Sequence, residues 1–349
     1  PVRYASRMKS LRIFALFVML AGFAACGGET DSGGTANTLQ RGLPSDPETL
    51  DHHKARSTQA AEVLRDLGEG LAGFTADGEL VPAGAESWDI SEDGLAYTFH
   101  LRDGLRWSNG DVLTAEHFVA GMRRLVNPAT AAFYAQMIVD IENAGSIIAG
   151  DAAPDALGVE AVDDRTLELR LSRPTPYMLS LLTHPSTFPV HPGSLAEHGD
   201  AFARPGKMVS NGAYRLDAWV PGSVVALKRN EYYWNDGATA VDAVNYHVIV
   251  QNNAELNRYR AGELHTTSTV PPDAFAQVRE DYVDELRVAP YLGVYYYGYN
   301  MTTPPLRDNV ALRQALSMAI DREQLAETIM GRGEAPAYSW VPPGVNNYE

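Results

Sequence analysis

The stretch 95–128 constrains the fold most, because it places a strand pattern directly before a helix pattern. Apolar and polar residues alternate in its first part, and this period of two predicts a half-buried strand with the inward side chains Tyr97, Phe99 and Leu101. Two glycine-containing turns follow. A helix is then predicted from the N-cap Thr114 to Asn127-Pro128, and its buried face comprises Phe118, Met122, Leu125 and Val126. A strand, turns and a helix in succession indicate a mixed α/β fold.

The same two patterns recur along the chain. Strands are predicted within 163–177 and on both sides of Pro221-Gly222. Helices are predicted before Gly68 and over 312–330, and the inward residues of the second are Leu312, Ala315, Leu316, Ala319 and Ile320. With 349 residues, of which 45% are hydrophobic, the chain can form a large core and is expected to have more than one domain.

The N-terminal residues have the layout of a secretory signal peptide, which we predict over 1–25. Basic residues precede an apolar run of about eleven residues that ends near Phe23. That run is short of the roughly 20 residues that a membrane-spanning helix needs. A buried amphipathic helix is the alternative, but the run has no polar face.

The residues before Cys26 resemble the bacterial lipobox, in which the cysteine is lipidated and becomes the new N-terminus. The lipobox prefers leucine three residues before the cysteine, where this chain has Phe23, and ordinary cleavage after Ala25 is the alternative. A flexible tether rich in glycine, serine and threonine is predicted over 26–38. The resemblance implies a soluble domain held at a bacterial membrane by the lipid on Cys26.

The chain is acidic, with 28 Lys and Arg residues against 44 Asp and Glu residues. An acidic surface repels phosphate backbones, so no nucleic-acid partner is expected. Cys26 is the only cysteine, which excludes disulfides, a thiol nucleophile and thiolate metal ligands from the rest of the chain. This composition suits a soluble protein in an extracytoplasmic space.

Sequence motifs for catalysis are missing, since the chain has no GxSxG, HExxH or glycine-rich phosphate loop. His184, His191 and His198 recur every seven residues, as on a metal-binding helix, but the prolines between them exclude a continuous helix. These histidines, like the adjacent His52 and His53, are better interpreted as loop residues that cap or hydrogen-bond. We predict no enzyme, no metal site and no cofactor, and a secreted hydrolase such as a paired-acid glycosidase is the distant alternative.

An ordered series of short motifs resembles the bacterial extracytoplasmic solute-binding proteins of the peptide/nickel class, the binding components of ABC importers. The series consists of AESW at 85–88, DG at 93–94, YTFHLR at 97–102, WSNG at 107–110 and TAEHF at 114–118. Further pieces, among them SNGAYRL, NRYRAGELH and YLGVYYYGYN, are similar to the oligopeptide-binding branch of this family, with the murein-tripeptide-binding branch close behind. The resemblance extends over about 39–349.

The resemblance implies a type II periplasmic-binding-protein-like α/β fold, a multi-domain hinged clam that closes around its ligand. Domain I would be discontinuous, over 39–68 and 193–292, and domain II would be the insertion 69–192. Domain III would start at 293 and be truncated at 349. The family residues that pair with the charged ends of a peptide would then lie beyond Glu349.

The resemblance also implies ligand contacts. In this family the peptide lies extended and pairs with protein main chain as an added strand would, and the corresponding segment here is Arg56-Ser57-Thr58. The family sequence there is acid-glycine-aliphatic, so Arg56 departs from it and is expected to change which peptide charge is favoured. The other implied contacts are Tyr134, His184, Gly293, Tyr296 and Gly298.

The implied function is a lipid-anchored, monomeric subunit that captures oligopeptides between its domains and delivers them to the permease subunits of an ABC importer. Its contact with the membrane would be through the N-terminal lipid only. The alternative within the same fold is a receptor for murein peptide, a nickel chelate or an oligosaccharide. The stretch 291–300 is predicted to be a strand at the floor of the cleft, with Tyr296 toward the ligand and its other tyrosines mainly in the core.

Overall fold

The computed structural model describes residues 37–289, 291–342 and 345. The predicted signal peptide, Cys26 and nearly all of the predicted tether lie outside these residues. None of the helices in the described ranges has the length and apolar character that a membrane crossing requires. The first strand begins at Thr38, one residue before the predicted start of domain I.

Strands and helices alternate irregularly along the chain. The strands are β1 Thr38–Leu43, β2 Ala72–Phe74, β3 Leu80–Pro82, β4 Ala85–Ile90, β5 Ala96–Leu101, β6 Val159–Asp163, β7 Thr166–Arg170, β8 Tyr214–Val220, β9 Val224–Arg229 and β10 Ala243–Val248. The α-helices are α1 Thr58–Leu67, α2 Ala115–Val126, α3 Ala144–Ala149, α4 Met178–Leu181, α5 Pro192–His198, α6 Asn252–Arg260, α7 Pro272–Asp281 and α8 Val310–Met318.

The first sheet has the strand order β1, β10, β9, β8. Strand β1 is parallel to β10, and the other neighbours are antiparallel. The hairpin between β8 and β9 turns at Gly222, whose φ of 72° lies in the left-handed region that favours glycine. Helix α1 turns its apolar face to β8, and the buried residues between them form what we call the first core, among them Leu43, Leu50, Leu64, Val225 and Tyr246.

The second sheet is antiparallel throughout, in the order β4, β5, β7, β6. Helix α2 lies on β6 and β7 and buries the apolar face that its sequence predicts. In β5 the buried residues alternate with half-buried ones, as the period of two predicts. We call the buried cluster between this sheet and α2 the second core, and its largest fully buried side chains are Trp107, Phe99 and Phe118.

The single helix predicted over 312–330 is wrong in its length. Helix α8 ends at Met318, and a π-helical segment follows over Gln324–Met330. Arg322 donates a hydrogen bond of 2.9 Å to the Ser317 carbonyl, and Asp321 Oδ1 accepts from the Gln324 amide at 2.8 Å. These side chains take the main-chain groups that a continuous helix would use.

The strand predicted over 291–300 is also wrong, because the segment is irregular and none of the described residues pairs with it as a strand. Its tyrosines are not core residues, since Tyr291, Tyr295 and Tyr297 are 75–85% exposed. Aromatic side chains favour strands only where a neighbouring backbone and a packing surface are present. The tyrosines therefore indicate a strand propensity that is not realised in the described part of the chain.

Candidate functional site

Glu48 organises the loop that precedes α1. Its carboxylate accepts hydrogen bonds from the amides of Arg56, at 2.6 Å, and Ser57, at 2.9 Å, and from the Ser57 hydroxyl. Burial opposes the charge of Glu48, but these hydrogen bonds outweigh it and hold its pKa below the ordinary value. Ser57 is the N-cap of α1, where its Oγ accepts from the Ala60 amide at 3.1 Å, and Thr58 is the first helical residue.

Tyr134, which follows α2 in the chain, contacts this loop. Its hydroxyl donates to the main-chain carbonyl of Arg56 at 3.2 Å, and its ring centre lies 4.7 Å from that of His184. Phe133 packs edge-on against Tyr134 at 4.9 Å and is 59% exposed. The structure thus brings together four predicted site residues from distant parts of the sequence, which we call the Tyr134 cluster: Arg56, Ser57, Tyr134 and His184.

The main-chain groups predicted to pair with a peptide already have protein partners. The amides of Arg56 and Ser57 donate to Glu48, and the Ser57 carbonyl accepts from Ala61 at 3.1 Å. The Arg56 carbonyl accepts from Tyr134 and keeps a second lone pair free. An added strand at this position would therefore need the loop to rearrange, and the pairing stays a prediction.

His184 is held as a neutral ring with a defined tautomer. The Ser186 amide donates to its Nδ1 at 3.2 Å, so the ring hydrogen is on Nε2. Burial, and after it the charge of Arg65, lower the pKa of His184 to about 4. Above that pH the ring offers Nε2–H as a donor. His191 likewise caps α5, accepting from the Ser194 amide at 3.0 Å, so the capping interpretation holds for His184 and His191. It does not hold for His198, which is the last residue of α5 and makes no side-chain cap hydrogen bond within the described ranges.

An ion pair between the two cores was missed by sequence reasoning. Arg124 on α2 donates to both oxygens of Asp51, at 2.9 and 2.7 Å, and to His53 Nδ1 at 2.6 Å. The side chains of Asp51 and Arg124 are only 3% and 12% exposed. Burial opposes the charge of Asp51, but Arg124 outweighs it and lowers its pKa. No local pattern marks this pair, because its residues are 73 positions apart.

The contacts predicted in 291–300 lie on an exposed segment. Tyr296 contacts Trp340, with ring centres 4.3 Å apart, and Gly293 donates its amide to the Tyr291 carbonyl at 2.8 Å. A Cβ at Gly298 would meet no atom within 4 Å. In the described residues no hydrogen bond or ring contact joins Tyr296, Gly293 or Gly298 to the Tyr134 cluster.

An open groove of about 450 Å³ lies apart from the predicted contacts. Residues from both predicted domains I and II line it, among them Lys54, Arg124, Thr130 and Leu195. Neither Tyr134 nor His184 belongs to its wall. Among the described residues no group of three His, Cys, Asp or Glu side chains is arranged to hold a metal ion.

Comparison with known proteins gives a consistent family. Residues 79–349 match the family model of the bacterial extracellular solute-binding proteins, family 5 Middle. The chain is 38% identical over 334 residues to the periplasmic oligopeptide-binding protein OppA of Escherichia coli, covering 94% of this chain and 61% of the relative. It is 40% identical over 306 residues to the probable deoxycholate-binding periplasmic protein YgiS of the same organism, covering 87% and 57%.

The fold is similar to that of a solved structure, which this chain also covers only in part. The Escherichia coli murein tripeptide binding protein MppA superposes with a TM-score of 0.87 at 35% identity, covering 90% of this chain and 62% of that chain. The chain spans about three fifths of the length of the curated relatives that it matches. The expected type II periplasmic-binding-protein class of α/β fold is therefore confirmed.

Proposed function

The chain belongs to family 5 of the bacterial extracellular solute-binding proteins, and from this membership we propose that it is the peptide-binding subunit of an ABC importer. The observation that carries the proposal is the Tyr134 cluster, where a ring from predicted domain II meets a main-chain loop of predicted domain I. Hydrogen-bond donors and acceptors lie at this junction, on Tyr134, His184 and the Arg56 loop. Ligand sites occur preferentially at such junctions between domains.

The proposed mechanism is capture by closure and involves no chemistry on the ligand. Peptide would bind between domain I, 39–68 and 193–292, and domain II, 69–192, with 293–349 contributing the start of domain III. The two cores of the described residues support this division. A peptide shifts the population toward the closed form only as far as the peptide binds the closed form more tightly than the open form. The Asp51–Arg124 pair lies at the junction and would keep the two cores in register.

The proposed partners are a peptide and the permease subunits of the importer, and the proposed location is extracytoplasmic. The protein would act as a monomer anchored through lipid on Cys26. The test of the anchor is Cys26→Ser, which is expected to move the protein from the membrane fraction to the soluble fraction. An unchanged distribution would contradict lipid anchoring without affecting peptide binding.

Murein peptide is the second candidate ligand, since the matching structure is that of a murein tripeptide binding protein. A receptor for a nickel chelate or an oligosaccharide would have the same fold, because the fold does not determine the ligand. Ordinary peptides are favoured because the relative OppA is named for oligopeptide binding and matches over 94% of this chain.

Thermal unfolding with ligands tests the proposal, using protein expressed from the complete native reading frame. Mixed di- to pentapeptides are expected to raise the melting temperature, since a ligand at 100 times its Kd stabilises by about 2.7 kcal/mol. Murein tripeptide, deoxycholate, a nickel chelate and an oligosaccharide are the comparison ligands. A shift with one of these and none with peptides would refute peptide binding.

A pair of variants connects the shift to the site. Tyr134→Ala removes both the hydrogen bond to Arg56 and the contact with His184, and is expected to abolish most of the peptide-induced shift. Tyr177→Ala is the matched control, because Tyr177 is an exposed tyrosine of the same predicted domain. Equal peptide-induced shifts in the two variants would exclude Tyr134 from the site.

A further inference from the structure

Two arginines near the Tyr134 cluster form no close ion pair among the described residues, although the charge of Arg65 acts on Glu62. Arg56 and Arg65 are exposed, and neither forms an ion pair within the described ranges. Arg41, by contrast, pairs with Glu62 at 2.5 Å. Arg56 precedes the N-cap of α1 and Arg65 lies in its last turn. Their charges are therefore available to a ligand.

The carboxylates near these arginines are engaged elsewhere. Glu48 accepts three hydrogen bonds from Arg56 and Ser57, and Glu62 is paired with Arg41. Asp66 accepts from the Tyr246 hydroxyl at 2.6 Å. These contacts hold the three carboxylates on protein groups, and none of them lies within ion-pair distance of Arg56 or Arg65 among the described residues.

His184 adds a hydrogen-bond donor to the site. Ser186 fixes the His184 ring through Nδ1, which places the ring hydrogen on Nε2. This Nε2–H has no hydrogen-bond partner among the described residues. The field of Arg65 reaches this ring, where it adds to burial in lowering the His184 pKa. The His184 ring packs against Tyr134, which in turn packs against Phe133, so this unpartnered Nε2–H lies in the same site as the ring whose hydroxyl reaches Arg56.

We infer that this site selects peptides that place an acidic side chain, Glu or Asp, against Arg56, Arg65 and the Nε2–H of His184. The inference rests on the proposed function and adds the chemical class of the preferred peptide. A carboxylate matches guanidinium donors in geometry and charge, whereas a lysine side chain would be repelled. Because both arginines are exposed, the preference is moderate, about three- to tenfold over glutamine.

The test is calorimetric titration of protein from the complete native reading frame with alanine pentapeptides that carry Glu, Gln or Lys at one position. Each of the five positions is scanned, and the best series is repeated with Arg56→Gln, Arg65→Gln and the double variant. Arg215→Gln is the control, since Arg215 is an exposed arginine on β8 without an ion pair among the described residues. Denaturant unfolding checks that the variants are equally folded.

The expected result is a three- to tenfold preference for Glu over Gln at one position or more, with Lys weakest. This preference should fall in each single variant, vanish in the double variant and persist in Arg215→Gln. Equal affinity for Glu, Gln and Lys in the parent protein would overturn the inference and leave peptide binding intact. A preference that survives the double variant would overturn the assignment to these arginines, and absence of all peptide binding would overturn the proposed function as well.

Discussion

The hydroxyl of Tyr134 joins two parts of the chain through one hydrogen bond to Arg56. Tyr134→Phe removes that bond and keeps the ring beside His184. We expect the free energy of unfolding to fall by about 0.5–1.5 kcal/mol and peptide binding to weaken less than in Tyr134→Ala. Urea unfolding and calorimetry measure the two effects. Binding by the Phe variant as weak as by the Ala variant would show that the hydroxyl, rather than the ring, is essential.

Tyr296 and Tyr295 are neighbours with different surroundings. Tyr296 contacts Trp340, whereas Tyr295 contacts Tyr297 and is 85% exposed. The resemblance assigns ligand contact to Tyr296 alone, so Tyr296→Ala should weaken peptide binding more than Tyr295→Ala, each relative to its own effect on stability. Titration and unfolding of both variants measure this difference. The reverse order would remove Tyr296 from the site.

Asp51 is a buried charge that is compensated by its ion pair with Arg124. Removal of one partner of such a pair leaves the other uncompensated, so Arg124→Gln is expected to destabilise by about 3–5 kcal/mol. Glu263→Gln is the control, because its pair with Arg258 is largely exposed and is worth about 0–1 kcal/mol. Urea unfolding compares the stability of the two variants. Similar losses of stability would show that the buried pair stabilises the fold no more than an exposed pair does.

At the scale of elements, helix α1 depends on its first residues. Ser57→Ala removes the N-cap and one hydrogen bond of Glu48, and should cost about 1 kcal/mol of stability. Thr58→Ala, one residue along and exposed, is the control and should be close to neutral. Denaturant unfolding gives both values. Equal losses would contradict a specific capping role for Ser57.

The elements show where a sequence pattern suffices. In β5 and α2 the apolar period was a reliable prediction, because each element has one face on a core. The stretch 291–300 was also predicted to be a strand, but it has no paired neighbour in the described residues. A pattern indicates which side chains an element would bury, whereas pairing depends on a second segment.

At the scale of the whole molecule, two buried histidines make stability depend on pH. Burial lowers the pKa of His52 to about 4 and that of His53 well below its ordinary 6.5. Between pH 6.5 and about 4 the unfolded chain therefore binds more protons than the folded chain. The stability that these histidines contribute above pH 6.5 is lost as the pH falls through that window. Each histidine lowers the free energy of unfolding by at most about 1.4 kcal/mol for each pH unit within that window.

Urea unfolding between pH 7.5 and 4.5 measures this loss. The double variant His52→Gln, His53→Gln is expected to be less stable at pH 7.5, because two buried groups change, but to have a flatter dependence on pH. Identical slopes in the parent and the variant would mean that other groups cause the acid sensitivity.

The sequence by itself determined the α/β class, the family and two strands of each four-stranded sheet, namely β8 and β9 in the first and β5 and β7 in the second. Hydrophobic periodicity indicates which side chains of a segment are buried, and the order of short motifs indicates the family. Both can be recognised without a three-dimensional structure. The sequence also proposed Arg56, Ser57, Tyr134 and His184 as one site, through the family resemblance alone.

Only the tertiary structure decided which of these groups meet and what they have left to offer. It paired Asp51 with Arg124 across 73 residues, gave the amides of the Arg56 loop to Glu48 and fixed the tautomer of His184. It also left the tyrosines of 291–300 exposed. The physical reason is that burial, ion pairing and strand pairing are properties of two segments brought together by folding, and one segment's sequence does not contain its partner.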